Sequence, residues 1–213
     1  MIKGIIFDMD GVISDTQKLH STVESELLSR YGIKITPSEI TVKYSGVRTK
    51  DFFDDLLKEQ NQKYDLDLIM KEKWSQMEKL AAKSVEAISG SIELIHKLKN
   101  AGYLLAVASA SNLNYVQTVL NTLKVINHFS YIVSGDMVKY GKPHPESFLL
   151  ASAKIKISPE NCLVIEDGVS GMQAAITGGM KCIGLVDNHN KSYPTKNLVN
   201  SLSEITLDYL DQM

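Results

Sequence analysis

The chain has 213 residues, of which 44% are hydrophobic and 23% charged, and its formal net charge is −2. This length and composition suit one globular domain, or one domain that carries an insertion, with enough apolar residues for a sizeable core. The nearly neutral charge gives no general attraction to nucleic acid or an anionic membrane. No apolar run approaches the ~20 residues that cross a bilayer. We therefore expect a cytoplasmic protein that binds neither nucleic acid nor membranes.

The first predicted element is a buried strand that ends in two aspartates, within the stretch I-I-F-D-M-D-G-V at residues 5–12. A buried carboxylate is costly unless it is paired or bound to a metal ion. Asp8 and Asp10 are therefore predicted to have a cation close by. Gly11, directly after them, would let the backbone bend tightly at this point.

Residues 16–83 show helical periodicity and no convincing strand. Apolar positions with this spacing include Leu19, Val23, Leu27, Phe52, Phe53, Leu56 and Leu57. Because a connection from a strand to its helix normally takes only a few residues, we predict an inserted all-helical cap domain over 16–83. Residues 1–15 and 84–213 would then form the core domain.

Two features of this helical region have structural explanations. Asp15 and Thr16, which precede the first helix, are predicted to supply its N-cap rather than catalytic groups. Lys71, Lys73 and Lys79 are spread along one long predicted helix around Trp74, and we expect them to form a solvated face of that helix.

From about residue 84 onward, short apolar runs alternate with helical patterns. Strands are predicted at 103–108, 131–133, 162–165 and 182–186, and helices at 91–100, 113–123, 171–176 and from about 146. Runs that are apolar throughout suit parallel strands covered on both faces. The predicted fold is therefore α/β, with a doubly wound parallel sheet. Cys162 and Cys182 fall in two of these strands and are predicted to be small buried hydrophobes rather than a disulfide.

Polar residues follow several of these strands, at the edge where open α/β sheets bind ligands. Besides the two aspartates, they are Ser109, Ser111, Lys142 and the pair Glu166–Asp167. Carboxylates suit a hard cation such as Mg²⁺, and a lysine with hydroxyls at a helix N-terminus suits a phosphate. An aspartate could then attack phosphorus while a second carboxylate moves the proton.

Each of these signals alone also fits a turn, a helix cap or a solvated loop lysine. Their joint occurrence, in this order, favours a phosphoryl-transfer site. Four segments resemble the motifs of the haloacid dehalogenase-like (HAD) hydrolases, and the resemblance spans nearly the whole chain. The segments are D-M-D-G-V (8–12), S-A-S (109–111), G-K-P (141–143) and E-D-G-V-S-G (166–171). The resemblance implies a Rossmann-like core with a helical cap after the first motif.

The resemblance also implies a role for each matching residue. Asp8 would be the nucleophile and a metal ligand, and Asp10 the acid/base, with its backbone carbonyl on the metal. Asp167, supported by Glu166, would complete a Mg²⁺ site. The metal-free dehalogenase branch is similar in fold but lacks the second aspartate. The phosphate-binding residues that the resemblance implies are Ser109, Ala110 and Lys142.

Substrate recognition is expected to involve the cap. Arg48 in G-V-R-T-K-D (46–51) and His20 on the first cap helix stand where related enzymes contact substrate, and Asn112 follows the S-A-S motif. A solvent-facing loop arginine and a structural helix histidine are the simpler alternatives for the first two.

The predicted function is hydrolysis of a small phosphorylated metabolite, such as a sugar phosphate, by a monomeric enzyme, with a dimer as the alternative state. A β-phosphoglucomutase is the second hypothesis, but Asn112 stands where the mutases commonly carry a lysine. A non-catalytic binding protein with the HAD fold is the third hypothesis. Such a protein would usually have lost Asp8, Asp10, Lys142 or the acidic pair, all of which are present.

Overall fold

The computed structural model of the protein describes residues 1–44, 47–59, 64–187 and 191–213. Six strands form one parallel sheet in the order β3-β2-β1-β4-β5-β6. The strands are β1 (Gly4–Phe7), β2 (Leu104–Ala108), β3 (Tyr131–Val133), β4 (Cys162–Glu166), β5 (Lys181–Leu185) and β6 (Asn197–Val199). The predicted α/β class and parallel sheet are confirmed.

Helices cover both faces of the sheet, and four of them form a helical region between β1 and β2. That region holds α1 (Gln17–Ser29), α2 (Pro37–Tyr44), α3 (Thr49–Lys58) and α4 (Leu66–Lys83). The others are α5 (Ser91–Asn100), α6 (Leu113–Thr122), α7 (Glu146–Lys154), α8 (Val169–Thr177) and α9 (Leu207–Asp211). Short 3-10 turns lie at Ile126–His128, Gly135–Met137, Pro159–Asn161 and Leu202–Glu204. The division into a core and a cap domain at residues 16 and 83 stays a prediction.

Most predicted elements agree with the structure within a few residues. Three of the described helices and strands were not predicted: α2, α9 and the edge strand β6. The strand has only three residues and is defined by its pairing with β5, which no local pattern reveals. Cys162 and Cys182 are free and buried, as predicted. Among the residues that the structure describes, no helix is both long and apolar enough to cross a membrane.

The strand order creates a crevice at β1. Phe7 pairs with Val107 of β2 on one side and with Ile165 of β4 on the other. The chain moves outward through β2 and β3, then returns to start the other half at β4. At such a reversal the helices on the two sides diverge, and ligands bind beyond the carboxyl ends of the strands. Residues directly after β1 and β4 therefore meet there.

Alternating side chains divide the sheet between two apolar cores. Phe7 belongs to one core and Ile6 to the other. The core that contains Phe7 continues into the helical region, where it includes Leu27, Phe53 and Met77. The helical region therefore packs as an extension of the sheet's own core, next to the crevice.

Candidate active site

Asp8 follows β1 directly, and its carboxylate is clamped by a buried lysine. Its backbone N–H donates to the carbonyl of Ile165 (3.0 Å), which keeps the sheet register beyond the last residue of β1. The Lys142 ammonium lies 2.5 Å from Asp8 Oδ1 and 2.8 Å from Glu166 Oε1. The other oxygen of Glu166 accepts from the Gly168 N–H (2.5 Å). Glu166 therefore fixes Lys142, and Lys142 reaches Asp8.

Burial and nearby charges explain the ionisation of this cluster. Burial and the carboxylates of Glu166 and Asp10 raise the pKa of Asp8 to about 7, although Lys142 opposes the shift. Burial disfavours a charged Lys142, but Asp8 and Glu166 hold its pKa above the usual value. Lys142 is therefore a fixed positive charge at the base of the crevice, as a phosphate-binding lysine would be.

Asp10 lies beside Asp8 and accepts hydrogen bonds on both carboxylate oxygens. Oδ1 accepts from the Thr16 hydroxyl (2.5 Å) and lies 3.2 Å from His20 Nε2. Oδ2 accepts from the Ser111 hydroxyl (2.9 Å) and, at 3.5 Å, from that of Ser109. Although burial opposes ionisation, His20 and these hydroxyls lower the pKa of Asp10 to about 2. Thr16 is the N-cap residue of α1, as predicted, but its hydroxyl donates to Asp10 and makes no capping hydrogen bond to the helix.

The S-A-S segment leads from the end of β2 to the N-terminus of α6. The Ser109 hydroxyl accepts from the Ser111 N–H (3.0 Å), which closes a tight turn. Gly135 packs against the Ala110 carbonyl so closely that a Cβ there would overlap it. A segment of this kind, ahead of a helix N-terminus, presents backbone donors to an anion.

The acidic side of the crevice has a donor set that suits a hard cation. Asp167 is close to Gly11, whose φ of +99° and missing Cβ leave room for the Asp167 carboxylate. The Gln17 amide donates to Asp167 Oδ2 and, at 3.5 Å, to the Asp10 carbonyl. Burial, Glu166 and Asp8 raise the pKa of Asp167 well above its usual value. The site thus concentrates acidic oxygens that a cation would stabilise.

No group of three or more His, Cys, Asp or Glu side chains within the described ranges is arranged to hold a metal ion. The ligand set predicted for Mg²⁺ does not require such a group of three side chains. It consists of two carboxylates, those of Asp8 and Asp167, and the backbone carbonyl of Asp10. Mg²⁺ is commonly held by one or two carboxylates and keeps several waters. These donors therefore fit the ion, whereas Glu166 is occupied by Lys142 and Gly168.

A cavity opens above Asp8 and Asp10, and the helical region forms most of its wall. Its described lining comprises Asp8, Asp10, Gln17, His20, Ser21, Glu24, Ile40, Thr41, Tyr44, Val47, Thr49, Phe52, Ala110 and Ser111. One part is polar and the other apolar, with Tyr44 and Phe52 stacked at 4.6 Å. A mixed lining of this kind is typical of small-molecule sites.

Helix α1 carries His20 and Glu24 on the face that lines the cavity. His20 is packed edge-to-face against Trp74 and Tyr115. Burial opposes its protonation, yet Asp10 raises the pKa of His20 above its usual value. The structure thus places His20 beside the predicted acid/base, in the same cavity.

Lys73 corrects one sequence prediction. Lys71 and Lys79 are exposed as expected, but Lys73 is 0% exposed, so its assignment to a solvated face was wrong. Its ammonium lies 2.8 Å from Glu24 Oε1 and 2.5 Å from the Thr49 hydroxyl. Burial lowers the pKa of Lys73, while Glu24 opposes that shift. Glu24 and Thr49, which line the cavity, were also not predicted as site residues from the sequence.

A signal for both buried charges was present in the sequence. Glu24 is four residues after His20, so both side chains share one helix face. Lys73 is four residues after Ile69 and four before Met77, which are both buried. That spacing puts the lysine inside the apolar stripe of α4.

The two remaining predicted substrate contacts lie where the helical region meets the sheet domain. Arg48 donates to Asp51 (2.7 and 3.0 Å) and to the carbonyls of Gly135, Val138 and Lys139 (3.2–3.4 Å). It is not among the described residues that line the cavity. Gly46 of the same motif falls outside the described residues.

Asn112 is the N-cap of α6, where its Oδ1 accepts from the Tyr115 N–H (2.9 Å). Its amide donates to Glu78 of α4 at 3.5 Å. Substrate contact by Arg48 and Asn112 stays a prediction. In this arrangement both residues connect the helical region to the sheet domain.

Comparisons with known proteins agree with this geometry. The family model of haloacid dehalogenase-like hydrolases matches residues 5–185. The chain is 28% identical over 180 residues to a fructose-1-phosphate phosphatase of Escherichia coli, covering 84% of this chain and 94% of that protein. It is 28% identical over 190 residues to a phosphorylated carbohydrates phosphatase of Thermotoga maritima, covering 89% and 88%. A crystal structure of β-phosphoglucomutase from Clostridium difficile superposes with a TM-score of 0.88 at 28% identity, covering 100% of this chain and 96% of that one.

Proposed function

The chain belongs to the haloacid dehalogenase-like hydrolases, and on this premise we propose that it is a Mg²⁺-dependent phosphatase of a small phosphorylated metabolite, such as a sugar phosphate. One observation carries the proposal. The Asp8 carboxylate lies at the base of a cavity, between a buried ammonium 2.5 Å away and a second aspartate two residues on. The relatives named as phosphatases of fructose 1-phosphate and of phosphorylated carbohydrates support the same substrate class.

The proposed reaction has two steps on Asp8. A carboxylate oxygen of Asp8 attacks phosphorus, the ester P–O bond breaks, and Asp10 gives its proton to the leaving oxygen. This releases an alcohol and leaves a phosphoaspartate. Water then attacks the phosphorus, Asp10 takes the proton from that water, and the bond to Asp8 breaks to free inorganic phosphate.

The hydrogen bonds of Asp10 suit the second step directly. With Thr16, His20 and Ser111 around it, the carboxylate is ionised and ready to accept a proton from water. For the first step it must carry a proton. The negative charge of a bound phosphate would raise its pKa and favour the protonated form.

Lys142 and the S-A-S segment would hold the transferring phosphoryl group, since both offer donors where charge develops. Mg²⁺, when bound by Asp8, Asp167 and the Asp10 carbonyl, would neutralise charge between the phosphate and the nucleophile. It would also favour the ionised form of Asp8, whose pKa of about 7 otherwise leaves it partly protonated.

β-Phosphoglucomutase is the second candidate, because a solved structure of that name shares the whole fold with this chain. A mutase must exclude water from the phosphoaspartate until a sugar intermediate has turned round, whereas a phosphatase must admit it. Asn112, after the S-A-S segment, caps α6 and supplies no positive charge to grip such an intermediate.

The test measures both reactions with one enzyme preparation. Phosphate release from a panel of sugar, polyol and nucleotide monophosphates is measured with Mg²⁺, followed by conversion of β-glucose 1-phosphate with a trace of the 1,6-bisphosphate. We expect free phosphate from several sugar phosphates and no isomer. Rapid glucose 6-phosphate formation without free phosphate would establish the mutase instead.

The variant Asp8→Asn removes the nucleophilic oxygen at an almost isosteric position, and we expect it to abolish turnover while the fold survives. The same change at Asp208, exposed on the distant α9, is the matched control. A wild-type rate in Asp8→Asn would rule out the covalent mechanism.

A further inference from the structure

The charged side chains in the described lining of the cavity are almost all acidic. Among the described residues that line it, the charged side chains are the carboxylates of Asp8, Asp10 and Glu24, with His20 as the titratable base. No lysine or arginine belongs to that part of the lining. Two cations of the helical region, Arg48 and Lys73, are each paired with a carboxylate: Arg48 with Asp51 and Lys73 with Glu24.

Glu24 is the acidic residue that the helical region contributes to the described lining of the cavity. The residue is 4% exposed, and its contacts converge on one oxygen. Oε1 accepts from the Thr49 hydroxyl (2.9 Å), pairs with Lys73 and lies 3.9 Å from His20 Nδ1. Oε2 has no hydrogen-bond partner among the described residues. A carboxylate oxygen in this state accepts a hydrogen bond from a hydroxyl and repels an anion.

The contacts of Oε1 hold Glu24 in place. Lys73 bonds to both Glu24 and Thr49, and its ammonium lies 3.9 Å from the centre of the Trp74 ring. The positive charge of Lys73 is thus neutralised inside the helical region, and Lys73 is not available as a cation for a ligand in the cavity. The opposite arrangement, a lysine without Glu24, would present an anion site instead.

We propose that Glu24 is a specificity-determining residue, which selects phosphate monoesters whose leaving group is uncharged and bears hydroxyls, and rejects bisphosphates and carboxylated sugar phosphates. The inference rests on the proposed function and refines its substrate class. Glu24 acts in two ways: Oε2 accepts from a substrate hydroxyl, and the carboxylate neutralises Lys73. The apolar wall beside it, with Tyr44 and Phe52, covers the carbon skeleton of the same leaving group.

The test compares pairs of related sugar phosphates in which one member carries an additional charged group away from the reacting phosphate. The pairs are fructose 1-phosphate with fructose 1,6-bisphosphate, and glucose 6-phosphate with 6-phosphogluconate. The measured quantity is the ratio of kcat/KM within each pair, because a ratio does not depend on the folded fraction of a variant. p-Nitrophenyl phosphate serves as the common reference substrate. The proteins are the wild type, Glu24→Gln, the double variant Glu24→Gln/Lys73→Met and, as the matched control on the exposed face of α1, Glu26→Gln.

We expect the wild type to prefer the uncharged member of each pair by about a hundredfold, which corresponds to ~3 kcal/mol of like-charge repulsion. Glu24→Gln should lower that ratio at least ~10-fold, because the positive charge of Lys73 is then no longer neutralised and attracts the distal anion from within the helical region. The double variant, with neither charge, should fall between the two, and Glu26→Gln should match the wild type. If Glu24→Gln does not fold, the double variant still tests the loss of repulsion.

Three results would count against the inference. Equal kcat/KM within the pairs for the wild type would overturn it while leaving the phosphatase intact. So would an unchanged ratio in both Glu24 variants. Absence of turnover on every substrate, p-nitrophenyl phosphate included, would refute the proposed function and this inference with it.

Discussion

Removing one partner of the buried pair between Glu24 and Lys73 should destabilise the fold strongly. Lys73 is 0% exposed, and besides Glu24 its hydrogen-bond partner is the neutral hydroxyl of Thr49. Glu24→Gln therefore leaves a buried ammonium without a countercharge, which typically costs about 3–5 kcal/mol. The whole free energy of unfolding of a protein is only about 5–15 kcal/mol. At about 2–4 °C per kcal/mol for a chain of this length, Tm should fall by about 6–20 °C.

The assay is urea unfolding of the single and double variants, a double-mutant cycle. Trp74, the one tryptophan of the chain, is adjacent to Lys73 and reports on the helical region by fluorescence, while circular dichroism reports on the whole fold. Glu24→Gln and Lys73→Met should each be destabilising, and the double variant should lose less than either, because it buries no unpaired charge. Glu72→Gln, which removes an exposed ion pair with Arg30 on the same helix α4, should cost less than about 1 kcal/mol.

The stabilisation by the pair between Glu24 and Lys73 should depend on pH in a definite direction. The pKa of Glu24 is lowered from 4.5 to about 2, because Lys73 and His20 outweigh the effect of burial. The ionised pair therefore contributes fully above pH 4.5, and its contribution is lost as the pH falls toward 2. The stability difference between the wild type and Glu24→Gln should shrink over that range. Additive single-variant costs in the double variant, at neutral pH, would refute the reasoning.

Other predictions concern the reacting groups. Asp10→Asn should slow turnover by about 10²–10⁴-fold, the usual size of acid/base catalysis, in steady-state phosphate release. Lys142→Ala should lower kcat/KM by about 10²–10³-fold, because a charged donor to the transferring group is lost; unchanged kinetics would make it a structural lysine. Gly171→Ala should be inactive and less stable, since a Cβ at Gly171 would overlap the carboxylate of Glu166 that holds Lys142; Val169→Ala, exposed on the same helix, is its control. EDTA should abolish activity and Mg²⁺ restore it; full turnover of metal-free enzyme would contradict the cation's role.

The sequence by itself determined the α/β class and the order of most elements. Strands β1, β2 and β4 are continuous apolar runs, and each ends at a polar residue that the crevice uses. These signals are local, because the strand pattern and the residue after it lie next to each other in the chain. Parallel pairing then brings the strand ends to one edge of the sheet. That is why Asp8, Asp10, Lys142 and Asp167 could be grouped before any contact was known.

Only the tertiary structure determines which charges the helical region presents to the site. The sequence shows that α4 is amphipathic, but only the packing of α4 against α1 and α3 determines that Lys73 faces Glu24 and Thr49 rather than solvent. The contacts of Arg48 also depend on the tertiary structure. Its pairing with Asp51 is local, whereas the carbonyls it binds are 87 or more residues away in the chain. The charge of the cavity depends on such pairings, because a lysine or arginine acts on a ligand only when no carboxylate has already neutralised it.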